Sequence, residues 1–332
     1  MSMKKEEAVR LIIEAGQRLQ EAGLVARTWG NISARISDTQ FVITPSGVSY
    51  DRLTPELIVT VNIADCSHEG KVKPSSEKGI HADCYRLRPD VNFVVHTHQL
   101  YATAWGVTGK ALRLRGSVLG ETVPNAAYGI SSTKKLRQNV AAAVEEYPRA
   151  KAVFMRSHGA LFLGADCEEC FEIAAALEDY CRAKVEDALD LSGERIGVDS
   201  LAMLKILLPD TEVRFVDTPA ILAASRSKKT HYPVIDDMAQ IAGASLETVT
   251  VKDGWEKKAV RALRHRNLVF LRDRGAIIIG AKADECDALA AVAEKNCLSE
   301  LYAKAVGVDV RLGYADAQLQ RTVYLTKYSK LK

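Results

Sequence analysis

The chain has 332 residues, about twice the size of a typical domain, so one large or two medium-sized domains are expected. Its composition, 47% hydrophobic and 26% charged, is that of a globular protein, and a formal net charge of +3 does not indicate nucleic-acid binding. No apolar run approaches the roughly 20 residues that span a bilayer, and the N-terminus has acidic residues directly after its first lysines, unlike a signal peptide. We therefore expect a cytoplasmic protein that binds neither nucleic acid nor a membrane.

The seven cysteines are irregularly spaced and odd in number, which argues against a disulfide framework. Cys167 and Cys170 form a CxxC pair, but no second pair completes a zinc knuckle and the surrounding pattern is helical. We interpret the cysteines as reduced thiols.

The N-terminal part begins with a predicted helix over residues 4–22, stopped by Gly23, and continues into two short strand-like runs. Their loops contain GNIS at 30–33 and TPSG at 44–47. Glycine permits close approach and serine or threonine supplies donors, so such loops can bind an anion. Each loop taken alone is more typical of an ordinary turn.

A second helix is predicted to start at Pro74-Ser75-Ser76-Glu77, with Ser75 or Ser76 as the N-terminal cap. Glu77 would then lie in the first turn, where the helix dipole favours a carboxylate. A pure capping role is therefore an alternative to a catalytic one. Because the next strand follows about twenty residues later, helix and strand should pack as neighbours and bring Glu77 near the histidines of that strand.

That strand lies within residues 92–99, NFVVHTHQ, and delivers His96 and His98 to one face, because side chains alternate along an extended chain. His158 follows another apolar run, 152–155, which a neighbouring strand could bring alongside. Three neutral imidazoles with one open position suit a catalytic zinc ion. The alternative is that they are ordinary capping or hydrogen-bonding histidines.

The remaining elements complete a mixed α/β unit of about 190 residues. They are predicted helices over 99–107, 134–146 and 167–189 and strands over 152–155 and 161–163.

Five motifs in this order resemble the class II aldolase and adducin family over about residues 5–190. They are GNIS at 30–33, ITPSG at 43–47, PSSE at 74–77, VVHTH at 94–98 and SHGAL at 157–161. The resemblance implies an α/β fold, a three-layer αβα sandwich around a mixed, largely antiparallel sheet.

The resemblance also implies roles for single residues. His96, His98 and His158 would bind zinc, or another divalent metal such as Mn²⁺ or Co²⁺, and Glu77 would be the catalytic acid/base. The residues implied to hold a substrate phosphate are Asn31, Ser46, Gly47, Ser75 and Ser76. The implied function is a zinc-dependent aldolase, a lyase that cleaves a C–C bond of a small phosphorylated ketose through a metal-stabilised enediolate.

Other members of the family leave alternatives open: an epimerase, a decarboxylase or a dehydratase of a phosphorylated sugar or sugar acid, or a non-catalytic interaction protein like adducin. Epimerases of the family tend to carry Asp at the position of Glu77, which favours C–C cleavage here. Two departures concern tyrosines. The segment 112–120 contains none where the aldolases have one. Which C-terminal tyrosine, if any, serves a neighbouring subunit stays open among Tyr302, Tyr314, Tyr324 and Tyr328.

The second part of the chain repeats the first. Residues 153–181 align without gaps on 269–297, with 13 identities over 29 positions. Residues 88–104 align more loosely on 208–224 with one inserted residue, an alignment that replaces His96 by Asp217, His98 by Pro219 and His158 by Arg274. We therefore expect a catalytic domain over 1–195 and a smaller degenerate copy without metal ligands over 196–332.

This arrangement predicts the assembly. The family's single-domain enzymes resemble one another in forming four-fold rings with active sites between adjacent subunits. We expect a homo-oligomer, either a tetramer or a dimer whose two domains per chain imitate the ring.

Overall fold

The computed structural model describes residues 3–22, 29–114, 116–226 and 230–328. The chain forms two compact units, Met1–Ala183 and Lys184–Lys332. This division falls inside one long helix, and the domain boundary expected after residue 195 remains a prediction. No helix in the described ranges is both long and apolar enough to cross a membrane.

The helices of the first unit are α1 (Lys5–Glu21), α2 (Lys78–Leu87), α3 (Leu100–Gly106), α4 (Lys134–Glu146) and α5 (Cys167–Ala188). Its strands are β1 (Asn31–Arg35), β2 (Gln40–Ile43), β3 (Val59–Asn62), β4 (Phe93–Thr97), β5 (Leu112–Arg113), β6 (Thr122–Val123), β7 (Asn125–Ala126), β8 (Ala152–Met155) and β9 (Gly159–Gly164).

Seven strands form one sheet in the order β3-β2-β1-β4-β9-β8-β7. All neighbours are antiparallel except β7 and β8, which are parallel. Buried side chains of α1 and α5 pack on one face together with Phe93 and Phe162, and those of α2 and α4 pack on the other with Val94 and Leu161. Alternation along β4 and β9 thus supplies both cores. The predicted three-layer αβα sandwich is confirmed.

Two details differ from the prediction. The second helix begins at Lys78, and Glu77 is the residue before it, with φ −99° and ψ 9°. The Ser75 hydroxyl still accepts a hydrogen bond from the Glu77 N–H at 3.2 Å. Ser75 and Ser76 are nevertheless not at the cap position, because the helix starts only at Lys78 and Glu77 is its cap residue. Gly23, the predicted end of the first helix, lies outside the described residues.

The helices of the second unit are α6 (Ala202–Leu207), α7 (Pro219–Ser225), α8 (Asp236–Ile241), α9 (Trp255–Leu263), α10 (Ala283–Ala305) and α11 (Tyr314–Val323). Its strands are β10 (Glu212–Val216), β11 (Thr230–His231), β12 (Leu246–Val249), β13 (Leu268–Leu271) and β14 (Gly275–Gly280). They form a sheet in the order β10-β14-β13-β12-β11, again with one parallel pair, β12 and β13.

The second sheet repeats half of the first: β10, β14, β13 and β12 have the order and directions of β4, β9, β8 and β7. No described strand lies beyond β10, where the first unit has β1, β2 and β3. The fold is therefore an αβα sandwich followed by a smaller unit that repeats part of its sheet.

The strand register corrects the loose part of the repeat alignment. His96 pairs with Leu161 in the first sheet, and Phe215 pairs with Ile277, the repeat position of Leu161, in the second. His96 therefore corresponds to Phe215, and two residues on, His98 corresponds to Asp217. The prediction that Asp217 and Pro219 replace the two histidines was wrong by two residues, because few identities in this short segment anchor the gap.

Candidate metal and carboxylate site

Strand β4 presents two imidazoles from one face. The Nε2 atoms of His96 and His98 lie 3.0 Å apart, and the side chains are 1% and 7% exposed. The His96 Nδ1 atom lies 2.9 Å from the carbonyl oxygen of Ala160 on β9. Because a carbonyl only accepts, Nδ1 carries the proton, and the Nε2 lone pair faces the other rings.

His158 reaches the same point from the turn between β8 and β9. Its backbone N–H bonds to the Met155 carbonyl at 2.9 Å, and Ser157 adopts a left-handed φ of 63°. At Gly159 an added Cβ would lie only 2.2 Å from the Thr97 carbonyl oxygen. The turn therefore needs glycine after the histidine, because β9 runs directly against β4.

The three rings form a nearly equilateral cluster. The ring centroids are 4.7 Å (His96–His98), 4.9 Å (His96–His158) and 4.8 Å (His98–His158) apart. One nitrogen from each ring lies within 4.8 Å of the others, and within the described ranges this is the group of three histidine, cysteine or acidic side chains that could hold a metal ion. Trp29 stacks on His98 with centroids 6.2 Å apart.

The donor set fits a divalent metal of the zinc type. Burial lowers the pKa of His96 to about 3, so this imidazole is neutral at pH 7 and keeps a lone pair for a metal. Three neutral nitrogen donors leave a fourth tetrahedral position for substrate or water.

Glu77 lies against this cluster, at the N-terminal end of α2. One carboxylate oxygen is 3.0 Å from His158 Nε2, and the other is 3.6 Å from His96 Nε2 and accepts from Asn31 Nδ2 at 2.9 Å. The carboxyl is 7% exposed. Burial raises its pKa, but His158 and the hydrogen bond from Asn31 hold the pKa well below its usual value, so the group is ionised at neutral pH.

Four of the five residues expected to bind phosphate lie on loops that neighbour Glu77, and the fifth, Asn31, opens strand β1. Two backbone hydrogen bonds join the loops: the Ser46 N–H donates to the Lys73 carbonyl at 2.9 Å, and the Ser75 N–H to the Thr44 carbonyl at 3.0 Å. Ser75 is buried, and its hydroxyl oxygen accepts from the Glu77 N–H, so the hydroxyl hydrogen remains available as a donor.

The three other phosphate-site candidates differ from Ser46 and Ser75 in exposure and in hydrogen-bond partners. Gly47 is exposed with a φ of 75°, and Ser76 is exposed with its hydroxyl 2.8 Å from that of Ser132. Asn31 is buried, and its side-chain amide is hydrogen bonded to both Glu77 and His81. Its observed partners are therefore the carboxylate and a histidine of the site. The roles of all five residues remain predictions.

Sequence reasoning missed three residues behind the site, namely Ser33, His81 and Tyr85. Their side chains are hydrogen bonded in series and are at most 1% exposed. A signal existed: His81 and Tyr85 follow Glu77 by four and eight residues, which places all three on one helix face.

The C-terminal tyrosines lie in the second unit. Tyr302 is buried within α10, Tyr314 is 57% exposed at the start of α11, and Tyr324 opens a π-helical turn. The side chain of Tyr328 lies outside the described part of the chain. Their part in a neighbouring subunit's site remains a prediction.

The positions in the second unit that correspond to the histidines carry no ligand set. They hold Phe215, Asp217 and Arg274, and the Arg274 guanidinium donates to the Gly197 carbonyl at 2.8 Å. A guanidinium stays protonated and offers no lone pair, so this position cannot bind a cation.

Comparison with known proteins places the chain. The family described as Class II Aldolase and Adducin N-terminal domain matches residues 10–185. An L-fuculose phosphate aldolase of Escherichia coli is 32% identical over 180 residues, covering 53% of this chain and 81% of that protein. A 5-methylthioribulose-1-phosphate/5-deoxyribulose-1-phosphate aldolase of another Escherichia coli strain is also 32% identical over 180 residues, covering 53% and 82%. A solved structure of L-fuculose 1-phosphate aldolase superposes with a TM-score of 0.50 at 28% identity, covering 58% of this chain and 91% of that one.

Proposed function

Because the chain belongs to the class II aldolase and adducin family, we propose that it is a zinc-dependent lyase that cleaves a C–C bond of a small ketose 1-phosphate. The observation that supports this most strongly is the convergence of His96, His98 and His158 with the Glu77 carboxylate, 3.0 Å from His158 Nε2. Two of the similar aldolases carry a sugar 1-phosphate in their names, and this supports the substrate class.

The three imidazoles would bind the metal through neutral nitrogen atoms. Mn²⁺ or Co²⁺ could replace zinc at such a site. When bound, the ion supplies Lewis-acid polarisation of the substrate carbonyl and hydroxyl oxygens. The chain contributes the orientation of the ligands: the Ala160 carbonyl sets the His96 tautomer, and the Gly159 turn sets the direction of His158.

Glu77 is the proposed proton-transfer group. In the condensation direction its ionised carboxylate removes a proton from the substrate carbon next to the ketone. In the cleavage direction the carboxylate takes up the proton that the substrate hydroxyl loses as the C–C bond breaks, and then donates that proton to the same carbon. Burial at 7% exposure keeps bulk water from competing for that proton.

The loops beside Glu77 are proposed to hold the phosphate by uncharged donors. The candidates are the Asn31 amide, the Ser46, Ser75 and Ser76 hydroxyls and the Gly47 backbone. Gly47 has a φ of 75°, which lets its backbone approach an anion closely. Convergent hydrogen bonds of this kind bind a dianion and fix its distance from the metal.

We also propose a homo-oligomer, either a tetramer or a dimer that imitates a four-fold ring. Large apolar side chains are exposed in the second unit, among them Ile206 at 71%, Ile196 at 54% and Leu319 at 52%. Exposed apolar side chains in such number mark surfaces that other chains cover. Light scattering of the purified protein should give two or four chains, and a strict monomer would contradict this.

The function is tested by a panel of ketose phosphates and sugar acid phosphates with the zinc-loaded protein. We expect aldehyde and dihydroxyacetone phosphate from a ketose 1-phosphate, and neither from its unphosphorylated form. Carbon dioxide release, epimerised sugar or loss of water would assign a decarboxylase, an epimerase or a dehydratase instead. No zinc and no turnover would favour a non-catalytic, adducin-like protein.

A further inference from the structure

Behind Glu77, five buried polar side chains form one continuous line of hydrogen bonds from Tyr85 to the carboxylate. The Tyr85 hydroxyl lies 2.7 Å from Ser33 Oγ, and Ser33 Oγ lies 2.6 Å from His81 Nδ1. His81 Nε2 is hydrogen bonded to Asn31 Oδ1, and Asn31 Nδ2 donates to Glu77 at 2.9 Å.

Strand β1 and helix α2 contribute the side chains of this line, each at the spacing that puts its side chains on one face. Asn31 and Ser33 are two residues apart and share one face of β1. Glu77, His81 and Tyr85 are four residues apart in succession at and within α2. None of the five is more than 7% exposed, so their polar atoms depend on protein partners and not on bulk water.

Every proton in this line has one allowed place. The Asn31 amide nitrogen lies 2.9 Å from a Glu77 carboxylate oxygen and the amide oxygen faces His81 Nε2, so Asn31 donates to Glu77 and accepts from His81. That oxygen needs a donor, so His81 is protonated at Nε2. Burial lowers the pKa of His81 to about 4, so the ring is neutral and Nδ1 must accept. Ser33 then donates to Nδ1, and Tyr85 donates to Ser33.

We propose that His81 is a positioning residue for the lyase reaction: as the neutral Nε2–H tautomer it orients Asn31, and through Asn31 it holds the Glu77 carboxylate in the orientation that exchanges a proton with substrate. The role at substrate rests on the proposed function, whereas the hydrogen-bond order stands independently of it. Successive hydrogen bonds that point the same way polarise one another, so the line strengthens the last hydrogen bond, from Asn31 to one Glu77 carboxylate oxygen. The other oxygen is left toward His158 and the reacting carbon.

The first test reads the tautomer directly and needs no activity. Protein labelled with ¹⁵N-histidine is examined by long-range proton–nitrogen correlation, and the His81 signal is assigned from its absence in His81→Gln. We expect a neutral Nε2–H ring at pH 7, unchanged by zinc. A protonated ring or an Nδ1–H tautomer would overturn the proposal.

The second test separates positioning from folding, with L-fuculose 1-phosphate as the probe and its kcat and KM measured on the zinc-loaded protein. His81→Leu should lower kcat about 10- to 100-fold, the range for losing a group that orients an active-site ligand, with zinc content and KM nearly unchanged. His81→Gln keeps one donor and one acceptor and should recover most of the loss. Cys84→Ala, a buried change on the same helix outside the line, should leave kcat unchanged.

Ser33→Ala serves if His81→Leu does not fold, since it removes only the hydroxyl between Tyr85 and His81. It should lower kcat several-fold with zinc content and KM nearly unchanged, while His81 stays Nε2–H because the Asn31 amide oxygen still needs a donor. Equal kcat losses in His81→Leu and Cys84→Ala, or a loss confined to KM, would overturn the positioning role. If the wild type turns over no ketose phosphate, the proposed function fails, and the tautomer measurement then decides the hydrogen-bond order alone.

Discussion

The two units share a frame, meaning here the hydrogen bonds from a helical glutamate to the start of a neighbouring helix together with one left-handed turn. They differ in the side chains at the positions of the histidines. In α5, Glu178 accepts two backbone N–H groups at the start of α3 at 2.8 and 2.9 Å, and in α10 the equivalent Glu294 accepts two at the start of α7 at 3.1 Å each. The turn that carries His158 in the first unit has a left-handed Ser157, φ 63°, and the same turn in the second unit has a left-handed Asp273, φ 61°. These features persist in both units because the fold itself requires them.

The histidines are not required by the fold. Phe215, Asp217 and Arg274 occupy their positions in a sheet with the same order and register. The second unit also lacks, in its described part, a counterpart of β1, the strand that carries Asn31 and Ser33 in the first. Three buried imidazoles around a buried carboxylate are unfavourable without a ligand, so their presence in only one of two similar sheets points to a chemical role.

The largest expected effect comes from Glu77→Gln, which leaves the frame intact and removes only proton exchange. Turnover of a ketose 1-phosphate should fall by about two to four powers of ten, the usual scale for losing a general acid/base. Zinc content and the unfolding midpoint should match the wild type. Near wild-type turnover would reduce Glu77 to a structural residue at the start of α2, no different in kind from Glu294 in the second unit.

A smaller effect is expected at the loops proposed to hold phosphate, which have no counterpart in the described part of the second unit. Ser75→Ala removes one donor to a charged group, worth about 1.5–3 kcal/mol, so kcat/KM should fall about 10- to 100-fold. The preference for the phosphorylated over the unphosphorylated ketose should fall by the same factor. An unchanged preference would remove Ser75 from the phosphate site.

The smallest effect concerns the shared frame. Glu178→Ala and Glu294→Ala each remove a carboxylate that accepts two N–H groups, so each should lower the free energy of unfolding by about 1.5–3 kcal/mol. Urea denaturation monitored at both units should show equal losses. A loss in only one unit would show that the two frames are not energetically equivalent.

The shared face of His96 and His98 could be predicted from a local pattern, whereas the layer architecture was implied by the resemblance to the class II aldolase and adducin family. The HTH spacing fixes His96 and His98 to one face, and PSSE places Glu77 at the beginning of a helix. The position of His81 in a line with Ser33 could not be predicted, because their contact depends on how α2 lies across β1, 48 residues apart in the chain. The register of β10 was missed for the same reason: backbone pairing with β14 sets it, whereas the sequence offers few identities there.

The central claim is that one chain carries one metal site, in the first unit. Metal analysis of zinc-loaded, dialysed protein tests it most directly. We predict about one zinc per chain in the wild type and in Arg274→Ala, and about none in His98→Ala, since two remaining imidazoles cannot complete a zinc site. Zinc retained by His98→Ala, or lost from Arg274→Ala, would contradict the account.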